Sequence, residues 1–265
     1  AIDALFGSTI ANTQARLDSL GGTVLGQGID YFQNGKYEQA VKSFKQAAAL
    51  SPLSDNSVNA YNYMGQAYSK LGKTDQAIKT YQEAARLYPA DDRFYLALGD
   101  LYLQEEMLDE AIGAYEKAIN VDPNNNKSQY SLAESYLKAG NLDKAYEHFT
   151  QVVRISPSDP AGYYGLGEIA RASGDLNDAV ALLNKSIRLN KDFELAYREL
   201  GYTYADMGEF YKAEEQVLIL EANDSKYTSD LQNYIVQATR PGIIAAYSTD
   251  GFNPALGPKT EISDL

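Results

Sequence analysis

The side chains that most often carry catalysis are scarce in this sequence, which has a single histidine and no cysteine among 265 residues. A catalytic histidine needs a nucleophile to activate, and a metal ion needs several converging ligands. His148, in the segment Glu-His-Phe, has neither kind of partner in the sequence pattern. The absence of cysteine excludes a thiol nucleophile, a disulfide framework and a cysteine-based zinc site. We therefore expect His148 to be a solvated side chain.

One glycine-rich segment imitates a nucleotide-binding motif. Residues 165–170 read Gly-Leu-Gly-Glu-Ile-Ala, but they lie inside a helical pattern that no strand precedes. A dinucleotide fingerprint works by placing a pyrophosphate at a helix N-terminus directly after a strand, so its mechanism is missing here. The carboxylate pairs Asp91-Asp92 and Glu105-Glu106 are typical of turns and helix ends. We expect no enzymatic activity, no cofactor and no metal site.

The overall charge narrows the classes of partner. The chain has 36 Asp and Glu residues against 23 Lys and Arg residues, which gives a formal net charge of −13. Charge of this sign repels nucleic-acid phosphates and anionic lipid surfaces, so we expect neither as a partner. No apolar run approaches the ~20 residues that a spanning helix needs, so we expect no membrane insertion. The sequence predicts a soluble protein and favours the cytoplasm over a bacterial periplasm without fixing the compartment.

Six similar segments recur along the chain, and each closes on an alanine. The intervals between them are 37 residues once and 34 residues four times, at Ala40, Ala77, Ala111, Ala145, Ala179 and Ala213. Small residues precede them at the same spacing, at Gly28, Gly65, Gly99, Ala133, Gly167 and Gly201. Prolines follow the first four of them, at Pro52, Pro89, Pro123 and Pro157. A fixed period of this length indicates stacked copies of one supersecondary unit.

From Gly21 to about Tyr227 this pattern resembles the tetratricopeptide repeat, whose period of 34 residues carries a small residue, an aromatic, an alanine and a proline in this order. The resemblance implies an all-α, right-handed superhelical solenoid. Six helix-turn-helix repeats would occupy residues 21–225 and start at residues 21, 58, 92, 126, 160 and 194.

The second repeat shows that its residues suit such a fold. Tyr61, Met64, Gly65 and Tyr68 recur at the spacing of one helix face. A small residue such as Gly65 lets two helices approach closely, and tyrosine rings fill the space beside it. A tyrosine can bury its ring while its hydroxyl reaches a polar partner. We expect this packing to account for most of the 22 tyrosines.

The segments outside the repeats predict additional elements. Residues 1–20 form an amphipathic pattern that we expect to be a capping helix, broken by Gly21-Gly22 and covering the first repeat. Residues 226–240 predict a second capping helix, which Pro241-Gly242 would end. Residues 241–265 are interpreted as an irregular tail or a linker. The three extra residues of the first interval predict a longer loop at residues 51–57.

The resemblance also implies a concave groove lined by the first helix of each repeat. The groove positions hold tyrosines, amides and charges of both signs, which are residue types that bind peptides and proteins. We expect the partner-binding residues to be Asn62, Tyr63, Gln66, Lys70, Arg93, Asp100, Lys127, Tyr130, Glu134, Lys138, Tyr164, Glu168, Arg171, Arg198 and Tyr202.

One specialised groove can be tested by residue. Chaperone-binding members of the family hold a C-terminal carboxylate with lysines, asparagines and an arginine at set positions of three consecutive repeats. The first three repeats here offer Leu25, Ile29, Tyr63, Arg93 and Ala97, and no frame of three repeats matches the required set. The sequence therefore argues against a carboxylate clamp for chaperone C-termini.

Three hypotheses for function follow. The first is a non-enzymatic scaffold or adaptor that binds a peptide or helix of a protein partner in the groove. The second is a self-assembling structural protein, a dimer or filament formed through the end helices or the tail. The third is a regulatory region of a larger protein whose other domain follows Leu265.

Overall fold

The structure is a computed structural model that describes residues 2–249, with side chains for residues 9–239. Within these residues the chain forms thirteen α-helices and no strand, which confirms the predicted all-α class. The chain divides into two compact units, with the boundary between Asn141 and Leu142.

The helices of the N-terminal unit are α1 (Ile2–Gln33), α2 (Tyr37–Leu50), α3 (Asp55–Lys70), α4 (Thr74–Leu87), α5 (Asp92–Gln104), α6 (Leu108–Val121) and α7 (Asn126–Lys138). Those of the C-terminal unit are α8 (Leu142–Ile155), α9 (Pro160–Ala172), α10 (Leu176–Leu189), α11 (Glu194–Asp206), α12 (Phe210–Ala222) and α13 (Thr228–Thr249). From α3 onward, odd-numbered helices up to α11 are the first helix of a repeat and even-numbered helices are the second.

A left-handed residue makes the turn between the two helices of a repeat. Gly35 and Gly72 have φ angles of 72° and 69°, which glycine adopts without strain. The turn lets the Lys73 N–H donate to the Tyr68 carbonyl at 2.9 Å, so that a carbonyl at the end of α3 is satisfied. In the third repeat Glu106 takes this position with a φ of 61°.

Helix pairs pack closely where a glycine of the first helix meets a large side chain of the second. The pairs are Gly28 with Phe44, Gly65 with Tyr81, Gly99 with Tyr115 and Gly167 with Leu183. Each large partner is at most 3% exposed, so the tyrosines at these positions are core residues, as the sequence pattern predicts. A Cβ at any of these glycines would overlap the side chain that it faces.

The first capping helix differs from its prediction, because α1 runs without a break through Gly21-Gly22. A Cβ at Gly21 would lie 3.4 Å from the Ser51 Cβ, and the Asn56 side chain donates to the Asp18 carbonyl at 2.9 Å. These contacts with the chain after α2 offset the modest helix-breaking tendency of glycine, about 1 kcal/mol per residue. Residues 9–16 are exposed, so this part of α1 does not cover the first repeat.

The predicted loop at residues 51–57 is also wrong. The extra residues lengthen α3, which begins at Asp55 after the N-cap residue Ser54. The Ser54 side chain accepts a hydrogen bond from the Ser57 N–H at 3.2 Å, and Tyr88 donates to Ser57 Oγ at 2.7 Å. A good N-cap and a buried side-chain contact favour an additional helical turn over a loop.

At the other end, α13 continues past Pro241-Gly242 to Thr249, so the predicted stop and the irregular tail at 241–249 are wrong. A proline removes one backbone donor and strains a helix, but the helix can continue through a kink. The rest of the predicted tail, residues 250–265, lies outside the described residues.

The surroundings of two glycines predict opposite effects of a glycine-to-alanine substitution on the free energy of unfolding. Gly99→Ala should lower the free energy of unfolding by about 1–3 kcal/mol, because its methyl group would lie 2.6 Å from Tyr115 Cδ1. Gly113→Ala, in the interior of α6 with no atom within 4 Å of its Cβ position, should raise it by about 0.5–1 kcal/mol. Urea unfolding followed by circular dichroism measures both, and shifts of the same sign would contradict the packing described.

Candidate functional site

A cleft of about 370 Å³ opens in the N-terminal unit along α3, α5 and the start of α7. We call it the N-terminal cleft. It is lined by Asn62, Gln66, Ser69, Tyr81, Arg93, Leu96, Ala97, Asp100, Leu101 and Lys127. Five of these residues are among the predicted partner-binding residues, so the structure brings them together.

Helix starts place the polar residues of the N-terminal cleft. The side chain of Asp91 caps α5 by accepting from the Arg93 N–H at 3.2 Å, and Asn125 caps α7 by accepting from the Ser128 N–H at 3.0 Å. Such caps satisfy N–H groups that have no partner inside the helix. They fix Arg93 and Lys127 near the first turns of their helices, where both side chains reach the cleft.

The two amides of the cleft lie one turn apart on α3. Gln66 Nε2 donates to Asn62 Oδ1 at 3.2 Å, and both side chains are half-buried. The hydroxyl of the core residue Tyr81 donates to the Asn62 carbonyl at 3.1 Å. Burial raises the pKa of Tyr81 well above its usual value, so this hydroxyl stays protonated and keeps donating. The backbone of α3 that carries these amides is therefore held in place by a hydrogen bond from the core.

Both cations of the cleft are exposed and paired. Lys127 Nζ lies 2.9 Å from Asp100 Oδ2, and the Lys127 side chain is 63% exposed. Arg93 contacts Asp91 at 2.6 Å, and this carboxylate raises the pKa of Arg93. The Tyr115 hydroxyl donates to the other oxygen of Asp100 at 2.8 Å. The exposed Lys127–Asp100 pair contributes about 0–1 kcal/mol, so a ligand carboxylate can compete with it. Arg93 is held more firmly, by two hydrogen bonds of 2.9 and 2.6 Å to the half-buried Asp91.

Five other predicted residues of this unit lie outside the cleft lining. Tyr130 donates to Glu134 at 2.7 Å, one turn along α7. Lys70 and Lys138 are exposed in the last turns of α3 and α7. Tyr63 is half-buried and stacks on Phe44, with ring centroids 5.5 Å apart, so its ring is used in packing.

The predicted residues of the C-terminal unit are Tyr164, Glu168, Arg171, Arg198 and Tyr202. They form a different arrangement together with Glu199 and Asp206, and we call these seven residues the C-terminal network. Arg171 is its centre, because its Nε donates to Glu199 at 2.5 Å and its Nη1 to Asp206 at 3.0 Å. Glu199 is 2% exposed, and its carboxylate, which lies against the Arg171 guanidinium, raises the pKa of Arg171. Tyr164 donates to Glu168 at 2.7 Å.

Helix α13 covers this network. Tyr202 donates to Asp230, and Tyr234 donates to Asp206 at 2.6 Å. The Arg198 guanidinium lies 4.8 Å from the centre of the Tyr227 ring, within the range of a cation–π contact. Side chains that could bind a partner are therefore occupied by contacts within the unit.

Two groove predictions need correction. Tyr164 and Tyr202 are 4% and 9% exposed, so the expectation that these tyrosines point outward is wrong. The Tyr164 ring packs edge-on against Phe193 at 5.5 Å, and the Tyr202 ring packs against Tyr234 at 4.4 Å. Neighbouring aromatics thus cover both of them.

The sequence analysis did not identify the residues at the start of α13, and just before it, that contact the network. Tyr227, Asp230 and Tyr234 are spaced by three and four residues, so they share one face around the start of α13. This pattern was available, but which helix it faces depends on the packing of α13. The cleft residues Ser69, Leu96 and Leu101 were also missed, because the sequence does not show which side chains the packing of α3 and α5 brings to the lining.

The structure also places the other candidate residues of the sequence, His148 and the glycine-rich segment 165–170. His148 is half-buried on α8 rather than fully solvated, and residues 165–170 lie inside α9. Over the described part of the chain, no three His, Cys, Asp or Glu residues converge as metal ligands. Among the helices that the structure describes, none has both the length and the apolar content that crossing a bilayer requires.

Family models match most of the repeat region. Models described as tetratricopeptide repeat match residues 22–90 and 64–126, and a model described as TPR repeat matches residues 167–208. Residues 104–186 match a model for subunit 3 of the anaphase-promoting complex, or cyclosome. No curated protein matches the sequence significantly.

Several solved structures are similar. A tetratricopeptide repeat protein from Parabacteroides merdae has a TM-score of 0.70 and 15% identity, over 89% of this chain and 95% of its own. PilF from Pseudomonas aeruginosa has a TM-score of 0.66 and 17% identity, over 82% and 98%. YrrB, described as a TPR protein with an unusual peptide-binding site, has a TM-score of 0.54 and 20% identity, over 65% and 88%. These similarities establish a shared solenoid fold, as predicted.

The C-terminal network predicts a large cost for removing its central cation. Arg171→Ala should lower the free energy of unfolding by about 3–5 kcal/mol, because the Glu199 carboxylate stays buried without its partner. Adding Glu199→Gln should restore part of the loss. The exposed Arg188 on α10 is the matched control, and Arg188→Ala should change stability by about 0.5 kcal/mol or less. Equal effects in urea unfolding would show that Arg171 is not a structural residue.

Proposed function

This chain belongs to the tetratricopeptide-repeat superfamily, and from that premise we propose that it is an adaptor that binds an extended protein segment in the N-terminal cleft. The fold is in general a scaffold for protein–protein interaction. Its repeats generally bind rather than catalyse, and the proposed function involves no chemical step by this chain.

The observation that carries the proposal is the combination of groups in the N-terminal cleft. Half-buried amides on α3 face two exposed cations, above a floor that includes Leu96 and Leu101. Amides can hydrogen-bond a peptide backbone, cations can pair with acidic side chains, and the apolar floor can take an aliphatic group. These groups suit a mixed polar segment with acidic residues.

Charge supports an acidic ligand at this cleft. The chain has a net charge of −13, whereas the charged lining residues of the cleft are two cations, Arg93 and Lys127, and one carboxylate, Asp100. Asp91 lies beside this lining and pairs with Arg93. The two cations can attract an acidic segment that competes with Asp91 and Asp100 for them, while the rest of the acidic surface repels it. Such complementarity sets specificity and the rate of association more than the total affinity.

The C-terminal network supports the same choice of site by contrast. Its arginines and tyrosines contact the buried Glu199, other carboxylates and α13 within the unit, so binding there would first require those contacts to break. In the N-terminal cleft Lys127 makes an exposed pair with Asp100, and Arg93 is itself exposed although its partner Asp91 is half-buried. YrrB, which shares the fold, is described as having a peptide-binding site, and a peptide is the ligand class proposed here.

A phage-displayed library of random peptides tests the proposal. Selection on the full chain should enrich peptides that contain Asp or Glu. Arg93→Glu combined with Lys127→Glu should weaken their binding at least about tenfold, which corresponds to ~1.4 kcal/mol, because two attractive charges become repulsive. Fluorescence anisotropy with a labelled selected peptide measures the affinity.

The matched control makes the same charge change elsewhere in the unit. Lys79→Glu combined with Lys117→Glu alters exposed lysines on α4 and α6, and should leave the affinity within about twofold. Both double variants should keep the helicity of the wild type. An equal loss in the two variants, or no enrichment of any peptide, would reject the N-terminal cleft as the site.

A further inference from the structure

A second cleft, of about 530 Å³, lies in the C-terminal unit between α8, α9 and α10. We call it the acidic cleft. It shares no residue with the C-terminal network, and the proposed function does not use it. Its floor includes Leu166, Ile169 and Leu182, of which Ile169 is buried and the other two are half-buried.

An exposed aromatic ring stands at this cleft. Tyr146 lines it from α8 and is 57% exposed, so much of its ring is open to solvent. An aromatic face that is open to solvent can hold a guanidinium group by stacking and by cation–π attraction. The ring therefore offers one wall of a site for a planar cation.

Two carboxylates lie beside the ring and the floor. Asp175 is the N-cap residue of α10, yet its side chain makes no capping hydrogen bond, and Asp178 lies in the first turn of the same helix. Neither side chain has an ion pair or a hydrogen bond among the described residues. The lining of the cleft contains no Lys or Arg, so both negative charges are uncompensated within it.

We propose that the acidic cleft binds an arginine side chain of a partner protein, together with an apolar residue next to it. The guanidinium lies between Asp175 and Asp178 and against the Tyr146 ring, while its aliphatic stem and the neighbouring residue lie on the leucine and isoleucine floor. Arginine fits better than lysine, because its planar fork can pair with carboxylates and stack on a ring at the same time. The ligand is thus of opposite charge to the one proposed for the N-terminal cleft.

Two short peptides that differ by one charge test this inference. The probe is acetyl-Leu-Arg-Leu amide, and the comparison peptide replaces arginine with neutral citrulline of similar shape. In methyl NMR spectra of the full chain, the arginine peptide should shift the signals of Leu166, Ile169 and Leu182. The citrulline peptide should bind at least about tenfold more weakly, because it cannot form charge-assisted hydrogen bonds. Equal binding of the two peptides, or no shift of these methyl groups, would overturn the proposal.

Two matched double variants test whether the preference for arginine arises in the acidic cleft. Asp175→Asn with Asp178→Asn keeps the shape of the cleft and a residue that can still cap α10, and should remove the preference for arginine over citrulline. Glu214→Gln with Glu215→Gln removes two exposed charges from α12 and should preserve that preference. A preference that persists in the first variant, or disappears equally in both, would show that general electrostatics rather than this cleft binds the peptide.

Discussion

The close approach of two helices at a glycine is the constraint on which the rest of the N-terminal unit depends. At Gly65 and Gly99 the missing Cβ leaves room for the rings of Tyr81 and Tyr115 to cross beneath the first helix of the repeat. The rings fill the core, and their hydroxyls emerge at the N-terminal cleft. There Tyr81 donates to the Asn62 carbonyl, and Tyr115 donates to Asp100, the partner of Lys127. The same side chains thus hold the repeat together and position the polar groups of the candidate site.

The repeats could be predicted because the residue types that helix packing requires recur at a fixed interval along the sequence. Glycine, alanine and tyrosine return at fixed intervals, and each return marks a close helix contact or the ring that fills it. The continuity of α1 through Gly21-Gly22 could not be predicted from local preference, because contacts with Ser51 and Asn56 decide it. Local preference alone also predicted a stop at Pro241, through which α13 continues.

The candidate site was only partly predictable for a related reason. Position within the repeat identifies the side chains that leave the first helix on the groove side, but it does not say what covers them. Lys127 and Arg171 are both predicted groove residues, at different positions of the repeat, yet Lys127 is exposed beside Asp100 while Arg171 lies over the buried Glu199. The difference arises from α11, whose Glu199 and Asp206 pair with Arg171, and from α13, whose Tyr234 also contacts it. Residue type and spacing therefore predict a groove, and the packing of the helices that follow decides which part of it is open.

The central claim is that the N-terminal cleft is the surface that meets a partner. Photo-crosslinking tests it most directly, with p-benzoylphenylalanine placed at Gln66 in the cleft or at the exposed Lys79 on α4, and expressed in cells of the source organism. The account predicts a discrete crosslinked partner from position 66 that is absent from position 79. Crosslinks from position 79 with none from position 66 would contradict it and assign binding to the outer helices.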